Sequence, residues 1–303
     1  MKFHDAAMFR QVLEQRLEDR ANGDRAHIVH DRRSVVFDRL LARLVAAAPG
    51  QWALTGGFAF DLRLGTHTKT TWELKLEWRP DRVMEFREIM FEVGEHDVGD
   101  LFEFEIGLAG QAVMGGTVSS RFEAGAFLAG SPFETVSVGL TFRLGEMPTE
   151  TLRTEDLLGF AGIDRVEVEA VPLEVQVAEK IYRYVSAYRE VVESRGARDL
   201  LDLSMIAERT SLNPVLLRAV TNEVFESHKA EPPEALQRPP AEWAEPFSGL
   251  AEDAGAQQEL VAGYSAAASL LDPVLRGETS AGIWSAARQE WIDPFANGHS
   301  PSG

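Results

Sequence analysis

The stretch that most limits what this chain can become is residues 52–78, WALTGGFAFDLRLGTHTKTTWELKLEW. It opens on a short apolar run, Trp52 to Leu54, and breaks at Gly56-Gly57, a pair that can take backbone angles closed to residues with a Cβ. A helix is expected over residues 58–64, with Phe58, Ala59 and Leu62 on its apolar face. A polar turn then leads into a strand in which Leu74 and Leu76 point one way and Glu73, Lys75 and Glu77 the other. Strand, paired glycine, helix, turn and charged strand is the layout of one kind of phosphate site. The helix start offers backbone N–H groups and the positive end of a dipole, and positions i and i+2 of the next strand share one spot. Two carboxylates there would share magnesium ions, but the pair is Glu73 and Lys75, and an ammonium ligates no metal. Two readings follow. Either Glu73 binds a metal while Lys75 holds phosphate directly, or this is a solvent-facing strand edge of alternating charge.

Around that stretch the periodicity predicts helices over 3–20 and 34–48, the second with Ser34 as N-cap and Pro49-Gly50 as its stop. A helix over 80–91, a loop over 94–99, and strands over 101–106, 121–128 and 134–142 come next. Short strands joined by tight turns favour an antiparallel or mixed sheet over a Rossmann-type one, and with helices before, within and after it the class is α+β. Farther on we expect a strand over 165–170 and helices over 173–192, 198–207, 213–225 and 260–275, the last up to Pro273. The proline-rich run 231–240 carries no element. Residues 1–148 are thus expected to form the sheet domain, 149–293 a mainly helical domain, and 294–303 a disordered tail.

The net charge of −18 works against general DNA binding, which depends on neutralising phosphates with Lys and Arg. With no cysteine there are no disulfides and no thiolate sites, which suits a reducing cytoplasm. No apolar run of membrane-spanning length occurs, and the amphipathic start is unlike a signal peptide. His27 and His30 alone have a ligand-like spacing, and without supporting acids or thiols they read as surface residues. Lys180 with Glu179 and Arg183 forms one polar cluster. Arg198, Asp199 and Asp202 form another, with Arg198 and Asp202 at i,i+4; by pattern alone both are surface ion pairs. No acid lies between Val136 and Arg143 to supply a third metal carboxylate, which leaves Glu103 and Glu105 on a neighbouring strand.

TGGFAFDLRLG followed by KTTWELKLEW resembles the nucleotidyltransferase-fold proteins of the AbiEii/AbiGii toxin family, from type IV toxin–antitoxin systems, whose pattern runs GG-x-A-L and then R-x-T-x-D-[IL]-D-L. RFEAGAFLAGSPFETVSVGLTF is similar to the family's third-aspartate segment, VPLEVQVAEKIYRY to its lysine-bearing helix, and SRGARDLLDLSMIA to its R-x-K-D-L-x-D-L helix. In order, these motifs extend the resemblance over residues 32–290. It implies a polymerase-β-like mixed sheet followed by a helical domain, a cognate antitoxin, and Mg2+-dependent transfer of a nucleotide from a nucleoside triphosphate, in some members to tRNA. It also implies that Gly56 and Gly57 cradle phosphates, that Lys69, Lys180 and Arg198 contact the nucleotide, and that Asp199 and Asp202 complete the site. The three metal aspartates fall on Glu73, Lys75 and Gly139, and an arginine of the last motif on Gly196. The resemblance therefore implies the family fold with transfer weakened or lost. The alternatives are an active enzyme using Glu73 with Glu77, Glu103 or Glu105, and a non-catalytic interaction protein.

Overall fold

A computed structural model describes residues 1–65, 71–78, 86–114, 117–142, 149–190, 193–279 and 281–292. The chain divides into two compact units, Met1–Val171 and Pro172–Gly303. No helix among the described residues is long and apolar enough to cross a membrane.

The first unit begins with two helices. In α1 (Ala6–Ala21), Asp5 caps the start by accepting from the N–H groups of Ala7 and Met8, and Phe9, Leu13 and Leu17 at four-residue spacing are buried. In α2 (Arg25–Ala47) the cap is Asp24, so Ser34 is not the N-cap that the sequence suggests; it lies buried in mid-helix. The nine residues before Ser34 carry the helix through His30, Asp31 and Arg33, whose charges hide its apolar stripe from a periodicity count.

Next come β1 (Trp52–Thr55), α3 (Gly56–Leu64), β2 (Glu73–Trp78), α4 (Phe86–Glu95), β3 (Phe102–Met114), β4 (Thr117–Leu128), β5 (Ser131–Phe142), β6 (Glu150–Arg153) and β7 (Glu167–Ala170). The predicted helix over 80–91 is met from Phe86 onward, residues 79–85 lying outside the described ones. It continues through Gly94, which packs beside Ile106. β3 outruns its predicted end at 106 because a register shift between Leu108 and Gly110 absorbs the break in alternation.

The seven strands form one mixed sheet in the order β3-β4-β5-β2-β1-β7-β6. β2 runs parallel to β5 and antiparallel to β1, so it is an inner strand and the solvent-facing edge reading fails. One face of the sheet is apolar: Leu74, Leu76 and Trp78 of β2, Val136, Val138, Leu140 and Phe142 of β5, and Phe122, Ala124 and Ala126 of β4 are all buried. Val35, Leu40, Leu41 and Leu44 of α2, the α1 residues above, and Phe86, Met90 and Val93 of α4 share that core. Each of the buried Val, Leu, Phe and Met side chains contributes about 1.5–3 kcal/mol. The polar positions of β2 are thereby committed to the other face.

β6 and β7, added beyond β1, complete the sheet, so the first unit runs on to Val171 instead of ending at 148. Behind the apolar layer lies a fully buried ion pair. Arg43 donates to both oxygens of Asp100 at 2.7 and 2.8 Å and to the Phe102 carbonyl at 2.8 Å, tying α2 to the start of β3.

In the second unit, α5 (Leu173–Glu190) packs on α6 (Glu193–Arg209) and α7 (Pro214–Ser227), and α6 on α8 (Ala244–Asp253) and α9 (Leu260–Leu275). The helix α8 and the hairpin β8 (Ile283–Ser285) with β9 (Glu290–Ile292) are not foreseen from sequence, and Pro273 sits inside the last turn of α9 without ending it. Residues 293–303, which include the expected tail at 294–303, lie outside the described ones.

Removing one partner of the Arg43 and Asp100 pair leaves a buried charge. Asp100 also faces the buried Arg39 at 3.5 Å, so Asp100→Ala is expected to cost about 3–5 kcal/mol, and Arg43→Met with Asp100→Leu recovers only part of that loss. The urea midpoint of the sheet unit's unfolding, followed by circular dichroism, measures both.

Candidate functional site

The register of β2 brings three of the singled-out positions onto one patch. Lys75 lies directly opposite Gly139 of β5 and Thr55 of β1, and Gly139 is in turn opposite Arg121 of β4. Glu73, two residues before Lys75, shares its face and is opposite Ser137. The Glu73 carboxylate leans over Gly139 so closely that a Cβ there would come within 2.8 Å of Oε1. Only glycine leaves that volume to Glu73. Its two oxygens are both engaged: Arg121 Nε donates to Oε1 at 3.1 Å, and Lys75 Nζ stands 3.6 Å from Oε2.

The paired glycines meet the same residues. Gly56 has φ +73°, a left-handed conformation that favours glycine, and the Lys75 stem covers it, with Cδ, Cβ and Cγ 2.9–3.2 Å from where a Cβ would sit. Gly57 faces Thr71, whose hydroxyl donates to the Asp61 carboxylate of α3 at 2.7 Å. The Gly-Gly turn is therefore packed by Lys75 and Thr71. Lys69, expected to contact the nucleotide, lies outside the described residues.

The residues present do not fit a magnesium ion. Glu73 is the single carboxylate at the three matched positions, with a cation on each oxygen. At about 4 Å in water, one carboxylate attracts a divalent ion by about 2 kcal/mol and each neighbouring cation repels it by the same amount, so two cations outweigh one acid. The displaced acids are too far to help. Glu77 is two pleats along β2, roughly 13 Å from Glu73, and buried, with Lys75 between them. Glu103 and Glu105 belong to β3, three strands away at roughly 14 Å. Among the described residues no group of three or more His, Asp or Glu is arranged to hold a metal.

Arg121 is the participant that sequence reasoning missed. It stands at the start of a predicted strand, and only the β4 to β5 register, which sequence does not show, sets it opposite Gly139.

In the second unit α5 and α6 bring Lys180, Asp199 and Asp202 together. Lys180 pairs with Asp202, and Arg183 donates to Asp199 at 3.0 Å. These are cross-helix pairs with largely buried carboxylates, not the surface pairs along one helix that the pattern suggests; Arg198 itself is exposed. Burial pushes the Asp199 carboxyl above its ordinary value, against the opposing pull of Arg183 and Lys180. Gly196 is required by packing: the Trp243 ring fills the space where a Cβ would sit, 2.0 Å from Cη2. His30 is buried rather than at the surface, with Nδ1 3.2 Å from Asp31, which also faces His27 and Arg20.

A mixed sheet with a Gly-Gly turn beside a charged inner strand is followed along the chain by a helical unit. The sequence model of the nucleotidyl transferase AbiEii toxin family, Type IV TA system, matches residues 39–267, and the chain belongs to that family. In structure it is similar to MenT4, a nucleotidyltransferase toxin from Mycobacterium tuberculosis, with a TM-score of 0.57 and 20% identity over 94% of this chain and 95% of that one. No curated protein sequence matches it.

Because Glu73 fills the volume beside Gly139, the two positions are coupled. Gly139→Ala shifts the flexible end of the Glu73 side chain, so a double-mutant cycle with Glu73→Ala read by urea unfolding is expected to give a small coupling, about 0.5 kcal/mol. Asp199 supplies a pH signature. Its raised folded value means that its contribution to stability is full below about pH 3.9 and is lost as pH rises through the folded value. Between pH 4 and 7 the stability of the unmodified protein relative to Asp199→Asn should therefore fall, as chemical unfolding across that range measures.

Proposed function

We propose that this chain is a member of the toxin family in which transfer of a nucleotide from a nucleoside triphosphate to RNA is lost or severely weakened. The observation that carries the reading is the engagement of both Glu73 oxygens by Arg121 and Lys75, beside a third position that is Gly139. Phosphoryl and nucleotidyl transfer rest almost wholly on positioning and on charge stabilisation around metal ions, and this centre has exchanged carboxylates for cations. Reduced metal dependence follows from the same exchange.

The family fold supports a nucleoside triphosphate as ligand, tRNA as the acceptor in any residual reaction, and a cognate antitoxin as partner. By the motif resemblance, Gly56, Gly57, Lys69, Lys180 and Arg198 correspond to nucleotide-contacting positions, and Asp199 and Asp202 to catalytic ones. The cysteine-free composition favours a cytoplasmic setting, and the net charge of −18 argues against general DNA binding. The active alternative is disfavoured by the distances from Glu73 to Glu77, Glu103 and Glu105.

Incubation with labelled nucleoside triphosphates, Mg2+ or Mn2+ and total tRNA tests the reading. The expected result is no labelled RNA above background, with the unmodified protein and Glu73→Ala alike. Label that depends on the metal and disappears in Glu73→Ala overturns it.

A further inference from the structure

We infer that the free edge of β3 pairs with the same edge of a second copy of this chain, antiparallel and centred on Ala112, so that two seven-stranded sheets join into one.

β3 is the outermost strand at its end of the sheet: among the described residues it pairs with β4 and with no other strand. At 13 residues it is long for an edge. An edge strand presents a row of backbone N–H and C=O groups that accept another strand, and folds blunt such rows with lysine, proline or a covering helix. α4 lies beside β3 at Ile106, but from Gly107 to Ala112 the strand is exposed. No proline occurs in β3, and residues 106–120 contain no Asp, Glu, Lys or Arg, in a chain of which 26% is charged. The stretch after Ile106 therefore lacks each of these protections. Its one irregularity, the register shift between Leu108 and Gly110, bends the strand ahead of the joint and leaves Gly110 to Met114 in unbroken register with β4.

The backbone directions fix how a further strand is met. The Ser119 hydroxyl donates to the Ala112 carbonyl at 3.4 Å, so that carbonyl is turned toward β4. Successive residues of an antiparallel strand direct their backbone groups to opposite sides, which points the N–H and C=O of Gln111 and Val113 to the free side. A two-fold axis at Ala112 sets Gln111 of each copy opposite Val113 of the other, and both pairs exchange their hydrogen bonds. Between them Ala112 meets Ala112 at a closely spaced pair.

Charge selects the occupant and its direction. A chain of net charge −18 repels its own copies over most of its surface, and an uncharged edge is where two copies meet without that repulsion. The acids of β3, Glu103 and Glu105, are exposed. In the antiparallel joint each Glu105 lies seven residues, roughly 24 Å, from the axis, where salt screens it from its counterpart; a parallel joint would set identical acids side by side. A basic partner strand, by contrast, finds no carboxylate between Gly110 and Met114 to face its cations.

The test is sedimentation velocity of the full-length protein across the micromolar range. The expected result is a reversible rise from the monomer mass toward twice that mass as concentration increases. Ala112→Lys and Ala112→Glu each set like charges opposite one another at the axis, and each is expected to weaken self-association about fivefold. Mixed in equal amounts, the two variants are expected to associate about tenfold more tightly than either does alone, because the two-fold brings position 112 against itself. Gln111→Pro removes an outward N–H while leaving the bonds to β4, and is expected to leave the protein monomeric. Circular dichroism melts check that all three variants fold. An unmodified protein that stays monomeric at high micromolar concentration overturns the inference. So does a dimer that persists in Gln111→Pro, or a Lys and Glu pair that associates no better mixed than apart.

Discussion

The position of β2 inside the sheet governs everything at this site. Held by β5 on one side and β1 on the other, it has its register set twice, and a slip of one residue would turn Leu74, Leu76 and Trp78 out of the core. That constraint, not any contact on the polar face, is what puts Glu73 and Lys75 side by side and sets Gly139 and Arg121 across from them. The polar face is therefore a surface on which side chains can change while their backbone positions stay fixed. A charge can be reversed there at little cost to the fold, since the apolar face supplies the stability.

This separation explains which parts of the molecule were legible in the sequence. The alternation of residues 73–78 and the apolar spacing of α1 report directly on burial, and both were read correctly because one face of each element meets the core. The family motifs, which record chemistry in order along the chain, led to the nucleotidyltransferase fold that the family match and the structural likeness bear out. What sequence hid was lateral. Nothing local says that β2 is an inner strand, that Arg121 faces Gly139, or that Lys180 pairs with Asp202 on another helix, because each depends on residues far apart in the chain. The misplaced start of α2 has a different cause: buried His30, Asp31 and Arg33 make its core face look polar.

Buried charge recurs in both units. Arg43 with Asp100 in the first, and Arg183 with Asp199 in the second, are each placed where one carboxylate is largely withdrawn from water. Pairs of this kind contribute less net stability than their distances suggest, since desolvation offsets the attraction. A one-residue shift of β3 against α2 would strand a fully buried charge in the Arg43 and Asp100 pair, whereas Arg183, 41% exposed, would keep its contact with water.

The Glu73 centre differs from those pairs in the one respect that bears on function. Its ions lie at the surface, are shared unequally among one acid and two bases, and are only partly withdrawn from water, so they neither lock an alignment nor satisfy one another fully. Gly139 is what allows this. With any side chain there, Glu73 would be displaced from between the cations; with none, its longer arm reaches across to Arg121. Glu73, Lys75 and Gly139 are mutually fitted, since the Glu73 carboxylate takes up the space beside Gly139 and lies between the Lys75 and Arg121 cations.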